Sequence, residues 1–472
     1  MDEKKKYLFF SFFVVLNIIL KCLCAGDSSY SYDEMISVKD SFLDFGHIKH
    51  ESEWDNNPPF YYYCLWVWHQ LLPINEFNSR LLSVLFSSLS IGFSFLFALK
   101  KFNYRTAMFS AVLLTLSNFL LFYSIEARTY SLVVFLTLLS SLQYFKFVEK
   151  SSWANLLLLS LLNFLLIYSH YISGIVLIVQ YLITLIYYRK NIKHIFGFHT
   201  ILIISLVLLR FTKKQFLNIM GFNQKGDFWL KTATWNDLKL TFLNLFDNRF
   251  TAVCFLIIVF LAVTHFFMDR KYKPTSSEMY CLFLGFGSIL VLFFTGLFKA
   301  VFLDRYLIFC IPFATMLVCS KIANYKNVGL LFFGILLLIQ LVNYKFGKTP
   351  TIDFRTVADL VKQNEQAGDY KVINTKENRT LFGYYYYGRK FLNFKNIDSI
   401  SHSQNIYGVD EVEALEKINF SPSNKIFLIQ SFHKIQRTDN PIKEYLLKNN
   451  RQLYSNSFSS GIEFTLLKNV SY

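Results

Sequence analysis

The chain has 472 residues, 53% hydrophobic and only 17% charged, with a mean hydropathy of +0.34, whereas ordinary soluble domains carry about 25% charged residues. A string of soluble domains is excluded, because the apolar residues come in long uninterrupted blocks with no water-facing side, which read as membrane spans. The formal net charge of +16 is compatible with nucleic acid, anionic lipid or topology signals, and the Lys and Arg fall between the apolar blocks, which points to topology. No nucleic-acid partner is expected.

The first block runs from Tyr7 to about Leu23 behind Lys4, Lys5 and Lys6, so it enters with its N-terminus in the cytoplasm. Its length is marginal for a span, and Ala25-Gly26 would make a passable signal-peptide cleavage site. The further spans that follow favour a retained anchor. Apolar blocks come next at roughly 81–99, 106–123, 131–147, 154–169, 172–188, 195–210, 250–268, 279–298, 306–320 and 327–346, about eleven spans in all. If they alternate, Lys100, Lys101 and Arg105, then Lys146 and Lys150, then Arg189, Lys190 and Lys193, then Arg270, Lys271 and Lys273, then Lys321 and Lys326 share the cytoplasmic side, as the positive-inside rule requires.

The other connectors are then external: 24–80, 124–130, the joint near His170, 211–249 and 299–305. An odd number of spans also places the C-terminus outside. From residue 347 the composition becomes mixed and soluble. Asp353 to Gln366 predicts an amphipathic helix, Tyr370 to Thr375 and Lys425 to Gln430 buried strands, Pro441 to Asn449 a helix and Gly461 to Leu467 a strand. The expected fold is a polytopic α-helical membrane protein: a membrane domain over 1–346, with its first external loop at 24–80, and a small extracytoplasmic α/β domain over 347–472. The seven cysteines have no paired metal-ligand spacing, so neither a disulfide framework nor a zinc site is expected.

The external connectors hold the chemistry. Asp33 and Glu34 form an adjacent acidic pair just beyond the first span. A carboxylate above the membrane surface can act as general base on an acceptor hydroxyl or orient a cation, and a solvated acid or helix cap is the plainer reading. The loop continues through His47, His50, Glu51, Glu53 and Asp55 to Pro58-Pro59-Phe60-Tyr61-Tyr62-Tyr63. Residues 60–72 are too short to span and should lie in the interface plane. His50 and Asp55 are substrate-site candidates; no recognised ligand spacing supports a metal there, and no cofactor is expected.

The joint from Tyr123 to Tyr130 sets Glu126 and Arg128 at a tight turn between two spans, where ionisable groups are costly. A structural Glu126/Arg128 ion pair is one reading, and a guanidinium for a lipid-linked phosphate is the other. Lys299, Asp304, Arg305 and Tyr306 repeat the pattern at the end of another span, and His170 and Tyr171 sit at the same depth. Several such clusters on one face point to a site that holds and activates an anionic, lipid-attached substrate, whereas a transporter would place ionisable residues near mid-span in broken helices.

Asp33-Glu34 in a long first external loop, the His/acid stretch before Pro-Pro-Phe-Tyr-Tyr, Asn78-Ser79-Arg80-Leu81-Leu82-Ser83, the joint Glu126-Ala-Arg-Thr-Tyr-Ser-Leu132, and Arg305-Tyr-Leu with Pro312 together resemble the GT-C superfamily of membrane glycosyltransferases. They are most similar to glycosyltransferase family 39, which includes the protein O-mannosyltransferases and is related to the lipid A aminoarabinose transferases. The resemblance covers residues 1 to about 346. It implies inverting transfer of a sugar from a polyprenyl phosphate carrier to an acceptor, a glycan, lipid or protein of the cell envelope, outside the cytoplasmic membrane. By the same resemblance Asp33 is catalytic with Glu34 its neighbour, and Arg128 and Arg305, with Lys299 as a weaker candidate, hold the donor phosphate. Glu126, His170 and Tyr171 are further substrate-site candidates.

The residue types suit that chemistry. One carboxylate takes a proton as the acceptor oxygen attacks C1, while cations stabilise the departing phosphate. A glycosidase would need two carboxylates. The rival reading is a non-catalytic lipid-linked glycan flippase or exporter, which requires a polar path through the bundle.

Overall fold

In a computed structural model of the chain, the residues described are 2–42, 44–46, 48, 57–191, 194–195, 231–268, 272–346, 353–392, 397–431, 441–457 and 462–469. His50, Asp55 and most of the expected 195–210 span lie outside them. They divide into two compact units, one comprising Met1–Ala25, Phe45–Trp68 and Phe77–Gly347, the other Gly26–Asp44, His69–Glu76 and Lys348–Tyr472.

The first unit is helical because a backbone in lipid must satisfy its own hydrogen bonds. Among the described residues six helices are long and apolar enough to cross a membrane: Glu3–Ala25, Glu76–Lys101, Tyr130–Glu149, Arg249–Met268, Ser276–Gly296 and Lys326–Asn343. Tyr104–Thr115 and Asn118–Ser124 form a pair bent by 60°, and Trp153–Ile167, Tyr171–Tyr187 and Cys310–Ala323 are shorter apolar helices. Every expected apolar block apart from 195–210 falls on one of these, so the chain is a multi-pass membrane protein. Tyr130–Glu149 is mostly buried in protein, whereas Arg249–Met268 and Lys326–Asn343 expose most of their surface.

The interior of this unit is polar at its centre, although it carries little charge. Ser140 donates to Asn163 Oδ1 at 2.5 Å, Asn163 Nδ2 to Gln180 Oε1 at 2.9 Å and Gln180 Nε2 to Ser140 Oγ at 2.8 Å, a closed triangle joining three helices. Tyr144 and Thr184 pair their hydroxyls at 2.9 Å, and Ser141 and Tyr280 at 2.8 Å. Between apolar helices that gain nothing from leaving lipid, such contacts and close backbone approach supply the attraction. Gly285 shows the second: a Cβ there would stand 2.6 Å from the Ala314 backbone nitrogen.

The second unit is built on a mixed sheet of five strands: β1 Tyr370–Asn374, β2 Ile406–Gly408, β3 Lys425–Ser431, β4 Asn450–Ser457 and β5 Ile462–Asn469. Their order is β2-β1-β3-β5-β4. The β1 strand is parallel to β2 and β3, and β5 runs antiparallel to both β3 and β4. Helix Phe354–Asn364 buries Phe354, Val357, Ala358 and Val361, the i, i+3, i+4, i+7 stripe of an amphipathic helix. Central β1 and β3 are buried almost throughout, which is why they read as continuous apolar runs.

Candidate functional site

The joint at 125–130 links three other segments of the first unit. Tyr61 and Ser83 share a hydrogen bond of 2.8 Å, and Ser83 Oγ donates to the Arg128 carbonyl at 3.3 Å. Thr129 Oγ1 donates to the Ser169 carbonyl at 3.0 Å, and the Phe60 amide to the Tyr168 carbonyl at 3.3 Å. Helix Phe60–Leu71, expected in the interface plane, thereby turns Tyr61, Tyr62 and Leu65 into the protein. Tyr62 then meets Arg128, whose Nη1 stands 3.5 Å from the tyrosine hydroxyl.

Arg128 is only 5% exposed. The Arg305 guanidinium stands 5.9 Å from the ring centroids of both Tyr130 and Tyr306, within cation–π range. His170 lies against the same rings, 4.8 Å from Tyr306 and 6.5 Å from Tyr130. Burial first, and then the positive charges of Arg128 and Arg305, hold the His170 pKa down at about 3, so the imidazole is neutral and offers one donor and one acceptor. Two guanidinium groups, a neutral imidazole and three phenol rings thus share one corner, in which Arg128, His170, Tyr62 and Tyr130 are buried and Arg305 and Tyr306 half-buried. Such a corner suits a phosphate: guanidinium groups match its oxygens, and low dielectric strengthens the attraction.

Around it, Asp304 is held in place by Asn244, whose Nδ2 donates to Oδ2 at 2.6 Å, and by the Arg305 amide, which donates to Oδ1 at 2.7 Å. Asn244 belongs to helix Trp235–Leu245, opened by a capping box between Thr234 and Asp237. Glu126 is half-buried and its carbonyl accepts the Arg128 amide at 2.8 Å. Tyr171 is half-buried at the start of the 3-10 turn Tyr171–Gly174, and Lys299 is exposed just past helix Ser288–Gly296.

The acidic pair belongs to the second unit. Residues 32–40 form a helix, Tyr32–Asp40, capped by Ser31. Glu34 is 1% exposed and closes the capping box: Ser31 Oγ accepts the Glu34 amide at 3.2 Å, and Glu34 Oε2 accepts the Ser31 amide at 2.8 Å. Asp33, one residue earlier, is half-buried in the first turn, and its carbonyl accepts Ser37 Oγ at 3.4 Å. The structure therefore groups Arg128, Arg305 and His170 in one unit and Asp33 with Glu34 in the other. Among the described residues no three His, Cys, Asp or Glu side chains converge.

Two charged side chains sit where sequence reasoning assigned no role. Lys21, buried in the first helix, donates to Ser87 Oγ at 2.8 Å, and Arg80 donates from Nη1 to the Ala25 carbonyl at 2.9 Å. A charge inside the first apolar block is the signal that marks Lys21, and Arg80 directly precedes the block at 81–99. Tyr62 and Tyr130 carried no such signal, because aromatic residues near span ends are ordinary.

Residues 56–211 match a family model described as dolichyl-phosphate-mannose-protein mannosyltransferase. No curated protein matches the sequence. Among solved structures, ArnT from Cupriavidus metallidurans bound to undecaprenyl phosphate is similar with a TM-score of 0.60 at 11% identity, covering 98% of each chain. Its apo state gives 0.59 at 12% identity over 97% of each chain. The oligosaccharyltransferase of Archaeoglobus fulgidus in the apo form gives 0.52 at 9% identity over 89% of this chain and 69% of its own. At such identities the likeness is one of fold.

Proposed function

From a chain that is GT-C-like in fold and similar to glycosyltransferase family 39 over the matched segment, we propose that it transfers a sugar from a polyprenyl-phosphate-linked donor to an acceptor on the outer face of the cytoplasmic membrane. The acceptor is a glycan, lipid or protein of the cell envelope. The observation that carries this reading is the corner in which buried Arg128 and half-buried Arg305 both bring positive charge to neutral His170. The undecaprenyl phosphate bound to ArnT agrees with it.

In the reaction, Asp33 takes the proton of the acceptor hydroxyl as its oxygen bonds to C1 from the face opposite the phosphate. The C1–O bond to phosphate breaks, inverting the anomeric carbon. The lipid phosphate leaves as a monoester with a second negative charge, and Arg128 and Arg305 neutralise that added charge in the transition state. Lys299 adds a weaker, solvated charge. His170 stays neutral beside two guanidinium groups, so it donates a hydrogen bond without adding a third cation.

The test is sugar release from a panel of radiolabelled undecaprenyl phosphate sugars by the purified full chain, with native membranes supplying acceptors. Transfer lost on Asp33→Asn supports the reading. Movement of labelled lipid across vesicles with no sugar release by any variant would replace it with a flippase.

A further inference from the structure

Glu76 holds two side chains of the second unit on one carboxylate oxygen, and one of them passes the contact on to the backbone. Tyr385 donates its hydroxyl to Glu76 Oε1 at 2.7 Å, and Arg355 Nη2 lies 2.6 Å from the same oxygen. The Tyr385 oxygen in turn accepts the backbone N–H of Tyr30 at 2.6 Å. Tyr30 is fully buried, its ring 5.6 Å from that of Tyr384 in an edge contact, and the neighbouring Ser29 Oγ accepts the Phe354 amide at 3.3 Å. The next residue, Ser31, is the cap of the helix that carries Asp33.

We infer that Glu76 and Tyr385 are positioning residues that fix the start of the Asp33 helix on the C-terminal α/β domain. The inference rests on the reading of Asp33 as the base. A phenol whose proton is committed to a carboxylate is a better acceptor for the Tyr30 N–H, so the two bonds strengthen each other. Their strength comes from the charge on Glu76, whose side chain is only 13% exposed. Residues 31–34 then move as one piece, because the capping box ties Ser31 to Glu34 at both ends. A shift at Tyr30 is a shift of Asp33, and misplacing a reacting group by about 1 Å can cost about 10²-fold in rate.

The relay lies outside the apolar cluster on one face of the sheet. The apolar core around the sheet is made by Val372, Leu415, Ile426, Leu428, Ile442 and Leu467, among others, and contains none of Glu76, Tyr385 or Arg355. Removing the phenol oxygen should therefore loosen the acid-bearing helix and leave the sheet standing.

The experiment uses the full chain in detergent, comparing wild type, Tyr385→Phe and Glu76→Gln by amide hydrogen exchange and by turnover of the undecaprenyl phosphate sugar panel. Exchange should quicken across residues 28–40 and stay unchanged in 370–374 and 425–431, while kcat falls about tenfold at constant donor KM. In an Asp33→Asn background, Tyr385→Phe should take nothing further from the residual turnover, since the group it positions has lost its function. Unchanged exchange over 28–40, or an equal further loss in that background, overturns the inference. If Tyr385→Phe also loosens 370–374, the variant is unfolding and Glu76→Gln, which keeps an acceptor for Tyr385 but removes the charge, decides the matter. Normal turnover by Asp33→Asn alone would defeat the base reading, and the exchange result would still decide whether the relay holds the helix.

Discussion

Glu34 Oε2 accepts the Ser31 backbone N–H at 2.8 Å while the Ser31 hydroxyl accepts the Glu34 N–H at 3.2 Å, so the second acid of the pair serves the helix that presents the first. With Asp33 proposed as the base, the two adjacent carboxylates are expected to have different tasks, and mutagenesis separates them. Asp33→Asn keeps size and hydrogen bonding and removes basicity, so turnover should fall by roughly 10² or more with undecaprenyl phosphate binding intact. Glu34→Gln preserves a capping-box partner and should stay within a few-fold of wild type, whereas Glu34→Ala should cost about 1 kcal/mol of stability. Equal losses for Asp33→Asn and Glu34→Gln, measured as turnover of folded protein, would contradict this division.

Arg128 and Arg305 are tested by Lys, which retains charge and loses the fork. A guanidinium pair holding phosphate should lose at least tenfold in turnover in each Arg→Lys variant, since a point charge cannot reproduce bidentate contact. Structural arginines would tolerate the change. Calorimetric binding of undecaprenyl phosphate, run beside turnover on the same preparations, distinguishes a lost ground-state contact from one made in the transition state. Normal binding and transfer by both variants would place the phosphate elsewhere, with Arg80 next to be examined.

His170 makes a pH prediction. Its folded pKa of about 3 lies below the unperturbed 6.5 because burial, then Arg128 and Arg305, disfavour the charged form. Between those values the unfolded chain binds a proton that the folded chain does not. The stability that this residue contributes is therefore complete above about pH 6.5 and is lost as pH falls towards 3. Thermal midpoints at pH 7.5 and 4.5 should drop less on acidification in His170→Gln than in wild type. Identical drops would show that the ring ionises freely.

The membrane orientation rests on the basic connectors. Reporter fusions after Lys101 and after Gly347 should register opposite sides, the first cytoplasmic and the second external. Two cytoplasmic readings would remove Asp33 and Arg128 from the face where a sugar is transferred to the envelope.

Much of the architecture was legible because its causes are local. A lipid environment forces each apolar block to close its own backbone hydrogen bonds, so helices such as Tyr130–Glu149 and Lys326–Asn343 fall where block length and flanking charge put them. The same holds for Phe354–Asn364 and for β1, β3 and β5, whose periodicity or apolar run is contained within the segment itself. Strands β2 and β4 escaped notice, since β2 spans three residues and β4 is polar apart from the adjacent Leu453 and Tyr454. Ionisable residues at span ends were visible as exceptions to their surroundings, which is how Arg128, His170 and Arg305 were singled out. Their meeting was not visible, because it depends on joints separated by 42 to 177 residues being packed together, and no local pattern encodes which joints those are. The Tyr30 amide reaching Tyr385, 355 residues away, is decided in the same way: partners so far apart find each other only after the intervening helices and sheet have taken their places.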